Sequence, residues 1–420
     1  MPMKKKTVRR GLLHFPLLAF MLLLLLFRWG IPYILLAVEA DSLYLDTSDY
    51  WHQMEQEHAW PICAVVKEYV CQLFVNPWIG ASLLAFCLSA PLYAVNVVCR
   101  RYRGALYWSM VIQICVVCVA TVYVLLPSTR TRENWCRLEH SAICHDWEDV
   151  LRVATPEAVK TDHDQLPYAL LALAVRGELP DHMLDYPLES SRDFDMGKPF
   201  DRRFYTFRMV LYDCLGCPNE ALHNAFQLAS FMRCGMSLGV LRQMVRYSRE
   251  MGDNALSAKY GRVLSSSTFH FSRNSSFIVL SPPTDTLASR WNAFQPLLTE
   301  RLGYNVGELL DTESPSPLMY HYFLCMLLAD CQLSSFVTVL QRVRPSLPTS
   351  LPRLYQEALL VSADRGLLPP DVSGTVEEQV VSDYEAWKAG RATSTVLTGH
   401  YWQYLSRSSF RQKRLFLSSR

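Results

Sequence analysis

The chain has 420 residues, of which 50% are hydrophobic, and its formal net charge at pH 7 is +2. Residues 1–127 carry ten Lys and Arg against seven Asp and Glu, and residues 128–420 carry 31 against 32. The near-neutral second part excludes the basic footprint of a nucleic-acid-binding protein. The 13 cysteines are too sparse for a disulfide-stapled secreted domain.

The first predicted element is an apolar segment behind a basic head. The first ten residues carry five Lys and Arg and no acid, and residues 11–38 are uncharged apart from Arg28. Signal-peptide cores run about 7–15 residues, so we expect a retained transmembrane helix at about 12–37, with cleavage after Ala40 as the alternative. We expect Arg28 to reach the lipid headgroups; a functional site within the span is the other interpretation.

Two further spans are predicted on either side of a short basic turn. The uncharged stretch 69–99 predicts a helix at about 74–98. The uncharged run 105–126 predicts another, which at 1.5 Å per residue is about 33 Å long and can cross a bilayer core. Residues 1–127 therefore form a predicted membrane domain.

The loop charges predict the topology. The loop 39–68 carries seven acids and one base, whereas the head and the turn 100–103 are basic. By the positive-inside rule the N-terminus faces the cytoplasm, and residues 128–420 lie on the outer side. Two histidines of the acidic loop, His52 and His58, do not share a helical face, so no metal site is predicted there.

The remainder of the chain predicts an all-α domain, because helical periodicity continues from residue 134 without an alternating strand pattern. A Ser- and Phe-rich irregular break covers 265–283, and a possible domain boundary lies near 265–284. The predicted helices cover 135–151, 166–176, 202–215, 218–233, 238–251, 254–264, 285–302, 317–329, 333–343, 351–364 and 376–388.

The helix stops recur with a nearly constant period. Gly177, Gly216 and Gly252 are 39 and 36 residues apart, and the turn at Asp330 precedes Gly366 by 36. Short helices joined by turns at this period predict an α-solenoid of helical hairpins. An irregular helical bundle is the alternative.

One turn matches a tetratricopeptide repeat. Tyr212, Gly216 and Ala221 have the expected spacing, but Arg208 and Met209 stand where Leu-Gly is expected. We therefore interpret the repeats as tetratricopeptide-like and degenerate.

Five short motifs lie along nearly the whole chain. They are Asn76-Pro77-Trp78-Ile79-Gly80-Ala81, Leu179-Pro180-Asp181-x-Met183-Leu184-x-Tyr186-Pro187, Arg202-Arg203-Phe204-Tyr205, Gly216-x2-Asn219-Glu220-Ala221-x3-Ala225-Phe226 and Leu351-Pro352-x2-Tyr355-Gln356-Glu357-Ala358. With these motifs the chain resembles an uncharacterised family of bacterial membrane proteins, known as a domain of unknown function. The resemblance implies a bacterial envelope protein with membrane spans followed by a tetratricopeptide-like region, and it implies no activity.

Two cysteine clusters invite a chemical interpretation. Cys214 and Cys217 have the spacing of a redox pair, but they flank a glycine in a helical hairpin rather than follow a strand, which favours packing or an incidental disulfide. Ligand-type residues also recur every four positions at Cys136, His140 and Cys144-His145, but the outer pair is about 12 Å apart along a helix, too far for one zinc.

No catalytic, cofactor-binding or metal-binding residue is predicted, since the chain lacks the common nucleotide, nucleophile-elbow and zinc-protease motifs. The basic tail 386–420 fits either a solvated terminus or contact with anionic headgroups. The sequence predicts a membrane-anchored scaffold whose repeat surface binds a protein partner, and the resemblance implies that it lies in the bacterial inner membrane. The alternative is a subunit of a transport or enzyme complex with a site near Arg28 and the 39–68 loop.

Overall fold

The computed structural model describes most of both predicted regions, and every regular element in the described residues is helical, with no strand. The all-α prediction is confirmed. The described residues are 2–30, 73–98, 103–196, 201–231, 237–265, 317–368, 376–390 and 399–407, with residues 55, 60–63 and 66. Outside them lie most of the 39–68 loop, the first residues of the 100–103 turn, the break 266–283, the predicted helix 285–302 and the tail beyond 407.

Sixteen helices in the described residues carry the labels used below, and short 3-10 turns join several of them. They are α1 Pro2–Gly30, α2 Pro77–Val98, α3 Arg103–Leu125, α4 Pro127–Ile143, α5 Trp147–Val153, α6 Pro156–Thr161, α7 Leu166–Val175, α8 Leu179–His182, α9 Arg202–Cys214, α10 Pro218–Ser230, α11 Leu238–Glu250, α12 Asn254–Ser265, α13 Pro317–Ala329, α14 Leu333–Val343, α15 Arg353–Asp364 and α16 Glu378–Lys388.

The chain divides into two compact units. Among the described residues, the first unit contains the chain up to His140 together with 226–249 and 253–265. The second contains 141–225, 250–252 and the described residues from 317 onward. Helices α1, α2 and α3 pack against one another in the first unit. Their shared apolar core consists of Leu23, Phe27, Phe74, Ala81, Ala85 and Val124.

Two helices of this bundle are long and apolar enough to span a membrane, namely α2 over Trp78–Val97 and α3 over Tyr107–Leu125. Their positions agree with the predicted spans 74–98 and 105–126. The predicted first span does not reach this length in the described residues, because the apolar part of α1 covers only Pro16–Gly30. Residues 31–37 of that prediction lie outside the described part of the chain.

The predicted helix stops are confirmed, and they share one geometry. Gly177, Gly216, Gly252 and Gly366 have φ of 72–77°, and Cys331 has φ of 58°. In each turn the next residue donates its backbone N–H to the carbonyl five residues earlier, at 2.8–2.9 Å. This is the Schellman cap, in which a left-handed residue lets the last carbonyls of a helix find donors.

A sixth turn of this kind lies at His145, where the sequence predicts one continuous helix over 135–151. That prediction is wrong. His145 has φ of 58°, and Asp146 donates its N–H to the Ser141 carbonyl at 2.8 Å. The Asp146 carboxylate then caps the next helix by accepting from the Asp149 N–H at 3.1 Å. Because this turn is formed by a histidine, the sequence has no glycine there to mark the end of the helix.

The second unit surrounds helix α7, in which residues 166–174 are all buried. Helices α5, α8, α9 and α13 contact α7. Helices α13, α14, α15 and α16 each contact the next in order, as hairpins in series do. The unit therefore combines consecutive hairpin contacts with a central apolar helix.

Candidate functional site

Three long side chains meet at the end of the bundle where α1 ends and α2 begins. The Arg28 guanidinium carbon lies 5.0 Å from the ring centre of Trp78 and 5.6 Å from that of Trp29. The two indole rings are 5.6 Å apart and nearly perpendicular, at 82°. Arg28, Trp29 and Trp78 are called the Trp–Arg cluster below. Indole faces attract a guanidinium, and they do so more strongly where water is scarce.

The start of α2 positions Trp78. The Asn76 side-chain carbonyl accepts the Trp78 backbone N–H at 3.1 Å, as an N-cap residue does. The Gly80 N–H donates to the Asn76 backbone carbonyl at 3.1 Å. A Cβ at Gly80 would lie far inside van der Waals contact with the Phe74 ring, so only glycine lets this ring cover the first turn of α2. Four residues of the Asn76–Ala81 motif thus have a structural role, since Ala81 is fully buried in the bundle core.

Substitution of Gly80 tests this role. We expect Gly80→Val to lower the free energy of unfolding by about 1–3 kcal/mol, since the new side chain must displace the Phe74 ring. Thermal unfolding of the full chain in detergent measures the change. Ile79→Val, at the exposed neighbouring position, is the matched control. If Phe74→Ala in the same chain does not relieve the loss, the ring contact is not its cause.

Arg28 is not simply solvated. It is partly buried, and its Nε finds no hydrogen-bond partner among the described residues. The groups that lie next to its guanidinium are the rings of Trp29 and Trp78, which attract the cation. The alternative interpretation places a site near Arg28 and the 39–68 loop. The Trp–Arg cluster contains Arg28, and of the loop Trp60 is described and exposed.

A cavity of about 480 Å³ lies beside Trp29, at the ends of α1 and α3 and the start of α4. We call it the rim cavity. Arg130, Glu133 and Asn134 give it a cation, a carboxyl group and an amide, all on α4. Burial raises the pKa of Glu133, although Arg137 and Arg130 act in the opposite direction. The lining residues are Trp29, Gly30, Val124, Leu125, Arg130, Glu133 and Asn134.

The cysteine pair of the second unit has no reactive geometry. Cys217 is buried, and no disulfide joins it to Cys214. Burial, followed by the nearby Glu220 carboxylate, raises the pKa of the Cys217 thiol to about 12. The thiol is therefore protonated at neutral pH and is a poor nucleophile. The pair occupies the Schellman turn at Gly216, where the Cys217 N–H donates to the Tyr212 carbonyl at 2.8 Å.

The four metal-type residues near 140 do not gather around one point. No group of three or more possible metal-binding side chains occurs in the described residues. Cys136 packs against the apolar core of the bundle, and Cys144 is exposed. His145 instead lies 3.0 Å from Asp213 through its Nε2 atom and stacks on Trp147.

The second unit contains a buried charge cluster that sequence reasoning missed. The Arg208 guanidinium pairs with the Asp195 carboxylate, with Nε 3.2 Å from Oδ2, and both side chains are largely buried. Glu220 is also buried, and burial raises its pKa to about 7 despite the opposing effect of Arg208. The only signal in the sequence is Arg208 itself, which stands outside the matching turn where the repeat pattern expects leucine.

Another cluster joins a histidine, a tyrosine and a cysteine. His321 Nδ1 lies 3.0 Å from the Tyr355 hydroxyl, and the Cys325 sulfur lies 3.7 Å from the same oxygen. Burial lowers the pKa of His321 and raises that of Cys325 to about 12. All three groups are therefore neutral at pH 7, which makes the cluster a packed hydrogen-bond network rather than an activated thiol.

A buried carboxylate anchors the last described segment, residues 399–407. Glu357 accepts hydrogen bonds from His400 Nδ1 at 2.6 Å, from the Tyr401 backbone N–H at 2.7 Å and from Arg353 Nε at 3.0 Å. The His400 ring also stacks on Trp402, with the ring centres 4.6 Å apart. Glu357 belongs to a motif quoted above, and its role in the fold accounts for a charged residue on a buried helix face.

The rim cavity and the Trp–Arg cluster are therefore the candidate site. The clusters of the second unit bury their polar groups against one another, whereas the rim cavity offers a cation and a carboxyl group to a ligand.

A family model described as a family of unknown function (DUF6057) matches residues 6–129 and 106–407. No curated protein and no solved structure matches the chain. The two matched segments together cover most of the sequence, so the chain belongs to DUF6057, a family of unknown function.

Proposed function

We propose that this protein is a membrane-anchored helical scaffold of the bacterial inner membrane that binds another protein through its C-terminal helical region. The observation that carries the proposal is that the helices of the bundle are strongly apolar yet mostly exposed. Only 24% of the α2 span and 17% of the α3 span is buried, although both are strongly apolar. A core helix of a water-soluble protein is mostly buried, so these exposed faces are suited to lipid.

Helix α1 is proposed as a third span. Its core side packs on α2 and α3, while Leu17, Leu18, Met21, Leu22 and Leu25 on its other side are 43–64% exposed. The helix as a whole has 29 residues and is about 43 Å long, enough to place its basic first turns outside a hydrocarbon core of about 30 Å.

The direction of the helices supports the proposed topology. The C-terminal ends of α1 and α3 and the start of α2 meet at the Trp–Arg cluster and the rim cavity. The start of α1, with its basic head, and Arg103 at the start of α3 then belong to the opposite end, which the positive-inside rule assigns to the cytoplasm. The C-terminal region would be periplasmic.

The scaffold role is supported by the repeated Schellman turns and the consecutive contacts of α13 to α16. Helical hairpins stacked in this way form a solenoid, and the extended surfaces of solenoids bind peptides and proteins. A degenerate tetratricopeptide-like solenoid that closes over the apolar helix α7 fits these contacts.

Photo-crosslinking in native membranes tests the proposal. We expect a photoreactive residue at Thr338 or Leu367, both exposed in the second unit, to capture one protein in stoichiometric yield. The matched control is Val119, which is 69% exposed on α3 and should capture lipid. Absence of any reproducible protein adduct across exposed positions of the second unit would contradict the scaffold role.

A second candidate function, a subunit of a membrane transport or enzyme complex, is favoured by the Trp–Arg cluster. An ionisable side chain within a membrane bundle is a candidate functional group, and the Nε of Arg28 is buried without a hydrogen-bond partner among the described residues. Complementation of a deletion strain tests it: Arg28→Ala should fail while accumulating normally, and Arg132→Ala, on exposed α4, should succeed. Equal complementation by the two variants removes this candidate.

A further inference from the structure

The rim cavity adjoins an apolar groove between α1 and α3. The groove has a volume of about 410 Å³ and shares Trp29 and Gly30 with the rim cavity. Between Leu22 and Trp29 the groove extends about 10 Å along α1, at 1.5 Å per residue. The remaining lining residues are Leu25, Leu26, Val117 and Thr121.

Helices α1 and α3 approach each other closely beside the two spaces. A Cβ at Gly30 would lie 2.9 Å from Val124 Cγ1, so the packing at this position leaves little room for a side chain. Val124 is buried in the bundle core and also lines the rim cavity. The polar and apolar spaces are therefore adjacent, with Trp29 and Gly30 lining both, and one amphipathic ligand can reach the two.

The polar end carries both signs of charge on one helix. Arg130 and Glu133 are three residues apart on α4, so both reach the same face. A guanidinium is well matched to a phosphate, and a carboxylate is matched to an ammonium. Partial burial deprives the Glu133 carboxylate of water and raises its pKa. A ligand ammonium would offset this loss of hydration.

We propose that the rim cavity and the groove together bind one phospholipid whose headgroup carries a phosphate and a primary ammonium. Arg130 binds the phosphate, Glu133 binds the ammonium, and an acyl chain lies in the groove along Leu22 and Leu26. The inference rests on the proposed placement of the bundle in a bilayer. Trp29 lies at the junction of the two spaces, where interfacial tryptophans are found.

The charge pattern selects among lipids. An anionic phospholipid without an amine would satisfy Arg130 but would offer no ammonium to Glu133, whose neighbouring cations in the protein are Arg137 and Arg130. It would also bring a further negative charge close to that carboxylate. The site should therefore prefer phosphatidylethanolamine to phosphatidylglycerol, by about tenfold if one charge-assisted hydrogen bond makes the difference.

Native mass spectrometry of the full chain in mild detergent tests the proposal, with phosphatidylethanolamine and phosphatidylglycerol of identical acyl chains as probes. We expect Glu133→Gln to abolish the preference and Arg130→Gln to lower retention of both lipids about tenfold. Arg130→Lys should restore part of this retention. Arg132→Gln, on the same helix but outside the cavity, should change neither.

The groove has its own pair of variants, which makes the test independent of the charged residues. Thr121→Phe should fill the groove and lower retention of both lipids. Leu83→Phe should not, because it fills a separate apolar cavity of about 510 Å³ between α1 and α2. Thermal unfolding of each variant separates loss of binding from loss of fold.

Two outcomes overturn the inference. Equal retention of the two lipids by the wild-type chain contradicts the headgroup assignment, and normal retention by Thr121→Phe contradicts the groove. Extraction of membranes at alkaline pH distinguishes these failures from failure of the proposed function. A protein that leaves the membrane fraction is not membrane-anchored, whereas one that stays but binds lipids without selectivity contradicts the lipid site alone.

Discussion

Glu357→Ala is expected to lower the free energy of unfolding of the second unit by about 3–5 kcal/mol, the usual cost of removing one partner from a buried charged network. The carboxylate accepts three hydrogen bonds and is buried to 98%, so alanine leaves His400 Nδ1 and the Tyr401 N–H without their acceptor. Arg353, whose side chain is half exposed, can turn to water or keep its bond to Asp383.

Hydrogen exchange of the full chain measures this effect locally. We expect the amides of residues 400–407 to exchange at least about tenfold faster in the variant, since their anchor is lost. Glu378→Ala, at an exposed position in the first turn of α16, should leave the exchange unchanged. Unchanged protection of 400–407 in Glu357→Ala would show that the aromatic packing of Tyr401 and Trp402 alone holds the segment.

The second large effect is a dependence of stability on pH that originates in Glu220. Its folded-state pKa of about 7 lies above the ordinary value of 4.5, because burial disfavours the carboxylate. The folded protein therefore binds the proton more tightly than the unfolded chain. Stability is fully present below about pH 4.5 and falls as the pH rises toward 7, by up to about 3 kcal/mol.

Glu220→Gln should remove this fall, because glutamine is neutral at every pH. The variant should be more stable than the wild-type protein at pH 8 and similar to it near pH 5, as judged from chemical unfolding of the full chain at the two values. Glu385→Gln, on an exposed position of α16, should retain the wild-type pH dependence. A wild-type stability that rises from pH 5 to pH 8 would contradict the sign of this argument.

Local signals in the sequence predict most helix boundaries of this protein. Glycine at 177, 216, 252 and 366 ends a helix because its missing Cβ permits the left-handed turn that a Schellman cap needs. The same turn at His145 is formed by a residue without this freedom, and periodicity alone therefore predicts a helix that is too long.

The polar clusters could not be predicted, because they depend on pairings between distant residues. Glu357 and His400 are 43 residues apart, and Asp195 and Arg208 lie on either side of a helix start. The rim cavity combines the ends of α1 and α3 with the start of α4, which only tertiary packing brings together. The sequence does mark some participants, since Arg28 and Arg208 are charges in otherwise apolar patterns.

Among the differences between the sequence prediction and the structure, the length of the apolar part of α1 matters most for function. Hydropathy predicts a span at 12–37, but within the described residues the apolar part of the helix is Pro16–Gly30. Its exposed apolar face and its packing on α2 and α3 are tertiary features that a hydropathy window does not contain. The proposed number of spans, and with it the side of the membrane that faces a partner, depends on this helix.

Reporter fusions test the central claim most directly, because three spans and two spans place the C-terminal region on opposite sides for a given N-terminus. Alkaline phosphatase is active only outside the cytoplasm. Fused after Arg132 it should be active, and fused after Arg103 it should be inactive, if α1, α2 and α3 all cross the membrane from a cytoplasmic N-terminus. An inactive fusion after Arg132 together with an active fusion after Arg103 would contradict the proposed topology.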